Sequence, residues 1–184
     1  MENIFDHFLD RSLAHVIRFN SRPQHFPESV AEHSFYVAYF SSLLVNFLKT
    51  AGEEADEAKV LKMALIHDME ESFSGDILTP FKHFNEEIVQ AIDKVNQQAI
   101  NLVFENLPEA LRRHYISLWV ENSEHLTREA QIVKIADKIS LLAKCREEMK
   151  AGNDYFSAIY DRDLERLREL DCDWWQKIRP QIIG

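Results

Sequence analysis

From Ser29 to Gly52 the chain places Val37, Phe40, Leu44, Phe47 and Leu48 at helical spacing, and the run is apolar enough to predict a central, largely buried helix. A second such run follows Thr127, where Ile132, Val133, Ile135, Ala136, Ile139, Leu142 and Ala143 cover much of a helix circumference up to Gly152. Two helices of this kind need other helices around them. The spacing elsewhere supplies candidates: residues 3 to 19, about 54 to 68, 85 to 106, 108 to 120 and 154 to 171, followed by a tail carrying Trp174 and Trp175. Alternating β-branched runs, internal repeats and low-complexity stretches are absent from this pattern. The expectation is an all-α, compact helical bundle formed by residues 1–184 as a single domain.

Local signals sharpen the boundaries. Ser29 with Glu32 three places on is the capping-box pattern, so His33 falls in the first turn of the central helix. Pro23 and Pro27 make residues 20 to 28 a loop with Arg18, Arg22 and His25 near its ends. Gly75 to Pro80 reads as another loop, and Pro108 as an early helix residue. The helix that starts near Glu54 ends on His67 and Asp68.

Charge and cysteine usage exclude several roles. Lys plus Arg total 21 against 31 Asp plus Glu, a formal charge of −10 that opposes binding to a nucleic-acid polymer or an anionic membrane. No apolar stretch reaches the length of a membrane span, and the acidic N-terminal residues Glu2, Asp6 and Asp10 do not read as a secretory signal. Cys145 and Cys172 lie far apart and form no Cys-x-x-Cys, which fits a reduced cytoplasm. Gly-rich nucleotide loops and a Gly-x-Ser-x-Gly elbow are missing.

The chemistry concentrates on a few polar residues inside apolar surroundings. Asp137 shares a helix face with Val133 and Leu141, where an unpartnered carboxylate is costly. It needs either a hydrogen-bonded or lysine partner, with Lys134 and Lys138 near, or a metal. His33 is open to the same two readings, as a satisfied core or capping side chain or as a ligand. Taken with His67 and Asp68, the set offers two imidazoles and two carboxylates, donors suited to Mn, Fe, Co, Ni or Zn.

The order His33, His67-Asp68, Asp137 resembles the H…HD…D pattern of HD-domain metal-dependent phosphohydrolases. The resemblance extends through Glu28-Ser29-Val30-Ala31-Glu32-His33-Ser34, through His67 to Lys82, and through Lys134-Ile135-Ala136-Asp137-Lys138, and is most similar to the HD-domain 5′-deoxynucleotidases. It implies an all-α cytoplasmic homodimer with one divalent metal ion per subunit, Mg being a further candidate, that acts on small nucleotide substrates. It implies His33, His67, Asp68 and Asp137 as ligands, Glu71 and Asp76 as acid/base candidates, and Arg18 as a phosphate-binding arginine. Thr79 and Lys82 are further phosphate-contact candidates. One departure stands out: where these relatives carry tryptophan after the arginine, this chain has Phe19, which leaves the choice between ribose and deoxyribose open. The implied activity is hydrolysis of nucleoside 5′-monophosphates. Hydrolysis of another phosphate compound, such as a triphosphate or diester, and a non-catalytic metal- or nucleotide-binding module are the alternatives.

Overall fold

The computed structural model describes residues 4–184, so the expected helix start at residue 3 lies outside it. The α-helices are α1 (Ile4–Leu9), α2 (Val30–Thr50), α3 (Glu57–Ile66), α4 (Glu71–Ser74), α5 (Thr79–Lys82), α6 (Glu86–Val103), α7 (Glu109–Glu124), α8 (Arg128–Lys150), α9 (Ser157–Glu169) and α10 (Asp173–Ile182). Among the described residues the only β pairing is an isolated bridge between Ile17 and Ser29. The protein is all-α, as the periodicity predicts.

The two apolar runs are the centre of the molecule. α2 packs on α8, α3 packs against both, and α9 covers another side of α8. Val37, Val45 and Leu48 of α2, Val60 and Met63 of α3, and Ile132, Ile135 and Ala136 of α8 are fully buried between them. Trp174 and Trp175 are buried in the same core, and each indole N–H is satisfied: Trp174 donates to Gln131 at 3.0 Å and Trp175 to the Leu167 carbonyl at 2.9 Å. An indole buried with its donor paired contributes area without the cost of a lost hydrogen bond.

The start of α2 follows its sequence signal. Ser29 Oγ accepts from the Glu32 N–H at 3.2 Å, and the Glu32 carboxylate accepts from the Ser29 N–H at 2.7 Å. Thr127 caps α8 in the same manner through the Ala130 N–H.

Residues 3 to 19 are not one helix. α1 stops at Leu9, a 3₁₀ turn occupies Ser12–His15, and Ile17 is extended against Ser29. Asp10 is the cause, since its carboxylate accepts from both the backbone N–H and the hydroxyl of Ser12 and so offers the chain a local alternative to the helix. Arg18 therefore sits at a turn beyond the helical segment. The 75–80 loop is also shorter than expected, because Thr79 and Pro80 open α5.

Candidate metal centre and substrate cleft

Three elements deliver four donor side chains to one place. His33 comes from the first turn of α2, His67 and Asp68 from the end of α3, and Asp137 from the middle of α8. His33 Nε2 lies 3.3 Å from His67 Nε2, 3.1 Å from Asp137 Oδ1 and 3.8 Å from Asp68 Oδ2, while His67 Nε2 lies 3.1 Å from Asp68 Oδ2. Donor atoms of His33, His67 and Asp68 all fall within 4.8 Å of one another.

The ring orientations are fixed from behind. His67 Nδ1 donates to the Ala64 carbonyl at 2.8 Å, and His33 Nδ1 pairs with Ser140 Oγ at 3.0 Å. Each Nε2 is thereby turned toward the cluster, the arrangement that holds imidazole ligands for a metal. Two imidazole nitrogens 3.3 Å apart beside two carboxylates could hold a cation between them. A divalent ion bonded at about 2.0–2.2 Å separates neighbouring donors by roughly 3.0–3.5 Å. That range takes in the His33–His67, His33–Asp137 and His67–Asp68 spacings, while His33–Asp68 at 3.8 Å is slightly wider. The donor set is nitrogen and oxygen without sulfur, which suits a borderline or hard divalent metal.

Burial opposes charge on His67, but the neighbouring Asp68 outweighs it and pushes the imidazole up to about 9. Asp68 and Asp137 stay ionised against burial, held below the ordinary carboxylate range by His67 and by His33 respectively. Asp137 pairs with His33; of the two lysines expected near it, Lys134 and Lys138, the second is turned toward Asp163 at 3.8 Å.

Asp137 lines a cleft of about 790 Å³ together with Arg18, Phe19, Asp76, Leu78 and Thr79. Arg18 is nearly buried, and its Nη1 donates to Glu28 Oε2 at 2.6 Å. Asp76 accepts the Phe19 N–H at 2.9 Å, and Phe19 takes φ +53°. Gly75, at φ +71°, ends α4 and turns the chain so that Asp76 reaches the Phe19 turn.

Glu71 opens α4, and its Oε2 is buried without a hydrogen-bond partner. Burial first, then the charges of Asp68, Asp76 and Glu70, push its carboxyl up to about 10. A second cleft of about 590 Å³ lies on the other side of Asp137 and contains Lys82, Glu70 and Trp119, with His67 and Asp68 on its wall. The structure thus separates Thr79, in the Arg18 cleft, from Lys82. His83, Asp137 and Lys138 border both. Glu70 accepts the Trp119 indole N–H at 2.7 Å and is pushed up to about 7 by burial and by Asp68.

Several contributors escaped the sequence reading. Ser140 behind His33, Glu28 behind Arg18 and Glu70 beside the ligands act through contacts that no spacing rule specifies. Glu28 and Glu70 lie inside the motif stretches, which was the available signal.

A family model described as 5'-deoxynucleotidase YfbR-like matches residues 5–177. A 5'-deoxynucleotidase of Erwinia tasmaniensis is 33% identical over 156 residues, covering 82% of this chain and 78% of the relative. Among solved structures, an HD-domain phosphohydrolase of Listeria innocua superposes with a TM-score of 0.77 at 28% identity, over 90% of this chain and 78% of that one. The cyanophage S-2L HD phosphohydrolase DatZ, bound to dA and one catalytic Zn2+ ion, shares the fold with a TM-score of 0.64 at 16% identity, over 98% and 94% of the two chains.

Proposed function

Because the chain belongs to the YfbR-like 5'-deoxynucleotidase family, we propose that it is a metal-dependent phosphomonoesterase that hydrolyses nucleoside 5′-monophosphates to nucleoside and orthophosphate. The observation that carries this reading is the convergence of His33, His67, Asp68 and Asp137, the last of which lines the cleft that also holds Arg18.

These four residues would hold one divalent ion, which when bound supplies Lewis-acid polarisation of a phosphoryl oxygen and a more acidic water. Arg18 presents a guanidinium to the phosphate, and its bond to Glu28 keeps the fork oriented. Glu71 is the carboxyl assigned to the attacking water, since it is buried beside Asp68 with an oxygen free of other partners. Asp76 holds the Arg18-Phe19 turn through the Phe19 N–H, and Thr79 stands on the same wall. Lys82 contributes from the second cleft, where its ammonium adds positive charge near the ligands.

The physiological arrangement is a cytoplasmic homodimer. Phe35, Tyr36, Tyr39 and Leu43 form an exposed stripe on α2 at i, i+4 and i+8 spacing, which supports an apolar subunit contact. No helix among the described residues is long and apolar enough to cross a membrane, and both cysteines are free. Light scattering on Phe35→Glu with Tyr39→Glu checks the stripe: a monomer is expected, and an unchanged dimer places the contact elsewhere.

Phosphate release from ribo- and deoxyribonucleoside 5′-monophosphates, 3′-monophosphates and triphosphates, with Mn or Co and then with chelator, tests the activity. Metal-dependent release from 5′-monophosphates is expected. No release from any of them overturns the reading, and faster release from a triphosphate moves the activity to another phosphate compound.

A further inference from the structure

The part of the Arg18 cleft lined by Arg22, Leu141, Tyr155, Ile159, Arg162 and Arg166, termed its outer half, is not used by the phosphate chemistry. Arg22 Cζ stands 5.4 Å from the Tyr155 ring centroid. Tyr155 is edge-on to Phe156 at 5.4 Å, and Phe156 is edge-on to Phe19 at 5.3 Å. A connected set of rings therefore leads from the turn carrying Arg18 to Tyr155. Tyr155 keeps 42% of its surface exposed and lines the cleft with apolar Leu141 and Ile159.

Beyond this platform lies a cluster with a fixed polarity. The buried Asp163 carboxylate receives Arg162 Nε at 3.2 Å and Nη2 at 2.6 Å on one oxygen, and faces Arg166 Nη1 at 3.5 Å and Lys138 Nζ at 3.8 Å on the other. Three cations surround one anion, so the carboxylate is saturated and positive charge remains. Arg162 and Arg166 are about half exposed, with further N–H groups directed away from Asp163. Towards the cleft, the cluster is a set of hydrogen-bond donors.

Resting on the monophosphatase reading, we propose that this outer half is a nucleobase subsite in which Tyr155 and Arg22 stack the base and Arg162 and Arg166 select a 6-oxopurine. A nucleotide whose phosphate lies at Arg18 and whose sugar and base stay in the same cleft extends past Phe19 towards Tyr155. A purine covers more of the platform than a pyrimidine does. Of the purines, guanine presents O6 and N7 as two adjacent acceptors, which match an arginine fork, whereas adenine presents an amino donor in place of O6. Donors facing a donor leave polar groups unpaired, and such sites discriminate strongly.

The test compares kcat/KM for dGMP, dAMP, dTMP and dCMP in the metal-loaded wild type, Tyr155→Ala and Arg166→Gln. Both substituted positions are exposed, and Asp163 keeps Arg162 and Lys138 as partners in the second variant. Wild type is expected to favour dGMP over dAMP by about tenfold. Tyr155→Ala is expected to lower the purine-to-pyrimidine ratio by about tenfold through KM. Arg166→Gln is expected to narrow the dGMP-to-dAMP ratio. Calorimetric binding of guanosine and adenosine, which lack the phosphate, gives a second readout, with guanosine the tighter. Equal kcat/KM for all four nucleotides, or ratios unchanged in both variants, overturns the subsite. Hydrolysis of none of the four overturns the monophosphatase reading, and the nucleoside titration then still decides the subsite: guanosine binding weakened by Arg166→Gln upholds it, and indifference to both variants removes it.

Discussion

Phe19 occupies a left-handed backbone position, φ +53°, that a bulky side chain rarely takes. The conformation costs about 1–2 kcal/mol, and a hydrogen bond to a charged carboxylate contributes about 1.5–3 kcal/mol, so the Asp76 contact is sufficient to hold it. Asp76→Ala is expected to raise KM by about tenfold or more as the Arg18 turn relaxes, while Asp76→Asn, which retains an acceptor, recovers most of the loss. Steady-state kinetics separate the roles: if Asn is as damaged as Ala and the loss is in kcat, Asp76 takes part in proton transfer. For Glu71→Gln the expected signature is the reverse, a fall in kcat of about 10²- to 10⁴-fold with metal content unchanged. A larger indole at the Phe19 position should sharpen the deoxyribose-to-ribose ratio, and an unchanged ratio in Phe19→Trp removes this ring from sugar selection.

At the scale of elements, α8 does more than carry Asp137. Its Lys144 and Glu148 are buried together, with Nζ 2.8 Å from Oε1. Glu148 also accepts the N–H groups of His25 and Phe26 at 2.9 Å and the Asn153 amide at 2.9 Å, while Lys144 donates to the Phe26 carbonyl. This end of α8 clamps the loop that follows Arg18. Removing one partner of a buried pair costs about 3–5 kcal/mol, so Glu148→Ala should lower stability by about that amount in chemical denaturation. Against the opposing effect of burial, these hydrogen bonds hold Glu148 down to about 2, below its ordinary 4.5. Its contribution is therefore complete above pH 4.5 and is lost as pH falls toward 2, a stretch of the acid-unfolding curve that Glu148→Gln should flatten. The sequence showed the helix through its apolar period and showed Asp137 as the residue breaking it. It could not show Glu148 as a loop clamp, because the partners are 122 and 123 residues away and their contact depends on the tertiary fold. The same limit hid Ser140, 107 residues from His33. The single helix expected over residues 3 to 19 failed for a local reason, since apolar spacing does not register the competition from Asp10 for Ser12.

For the whole molecule, the candidate ligand cluster would, with an ion bound, tie together helices that are otherwise joined by apolar packing. α2, the end of α3 and α8 each contribute to it, and these helices form the centre of the bundle. An ion that binds the folded chain and not the unfolded one stabilises it by about 4 kcal/mol at a thousandfold excess over Kd. For a chain of 184 residues, each kcal/mol moves Tm by about 2–4 °C, so Mn or Co should raise the Tm of the chelator-treated protein by about 8–16 °C. Asp137→Ala and His67→Ala should each abolish most of that rise, whereas Glu71→Gln should keep it, because Glu71 stands beside the cluster without belonging to it. Calorimetric scans with and without metal distinguish the cases. A rise retained in both ligand variants would place the ion elsewhere, and Asp137 would then be a part-exposed carboxylate balanced by His33 and His67.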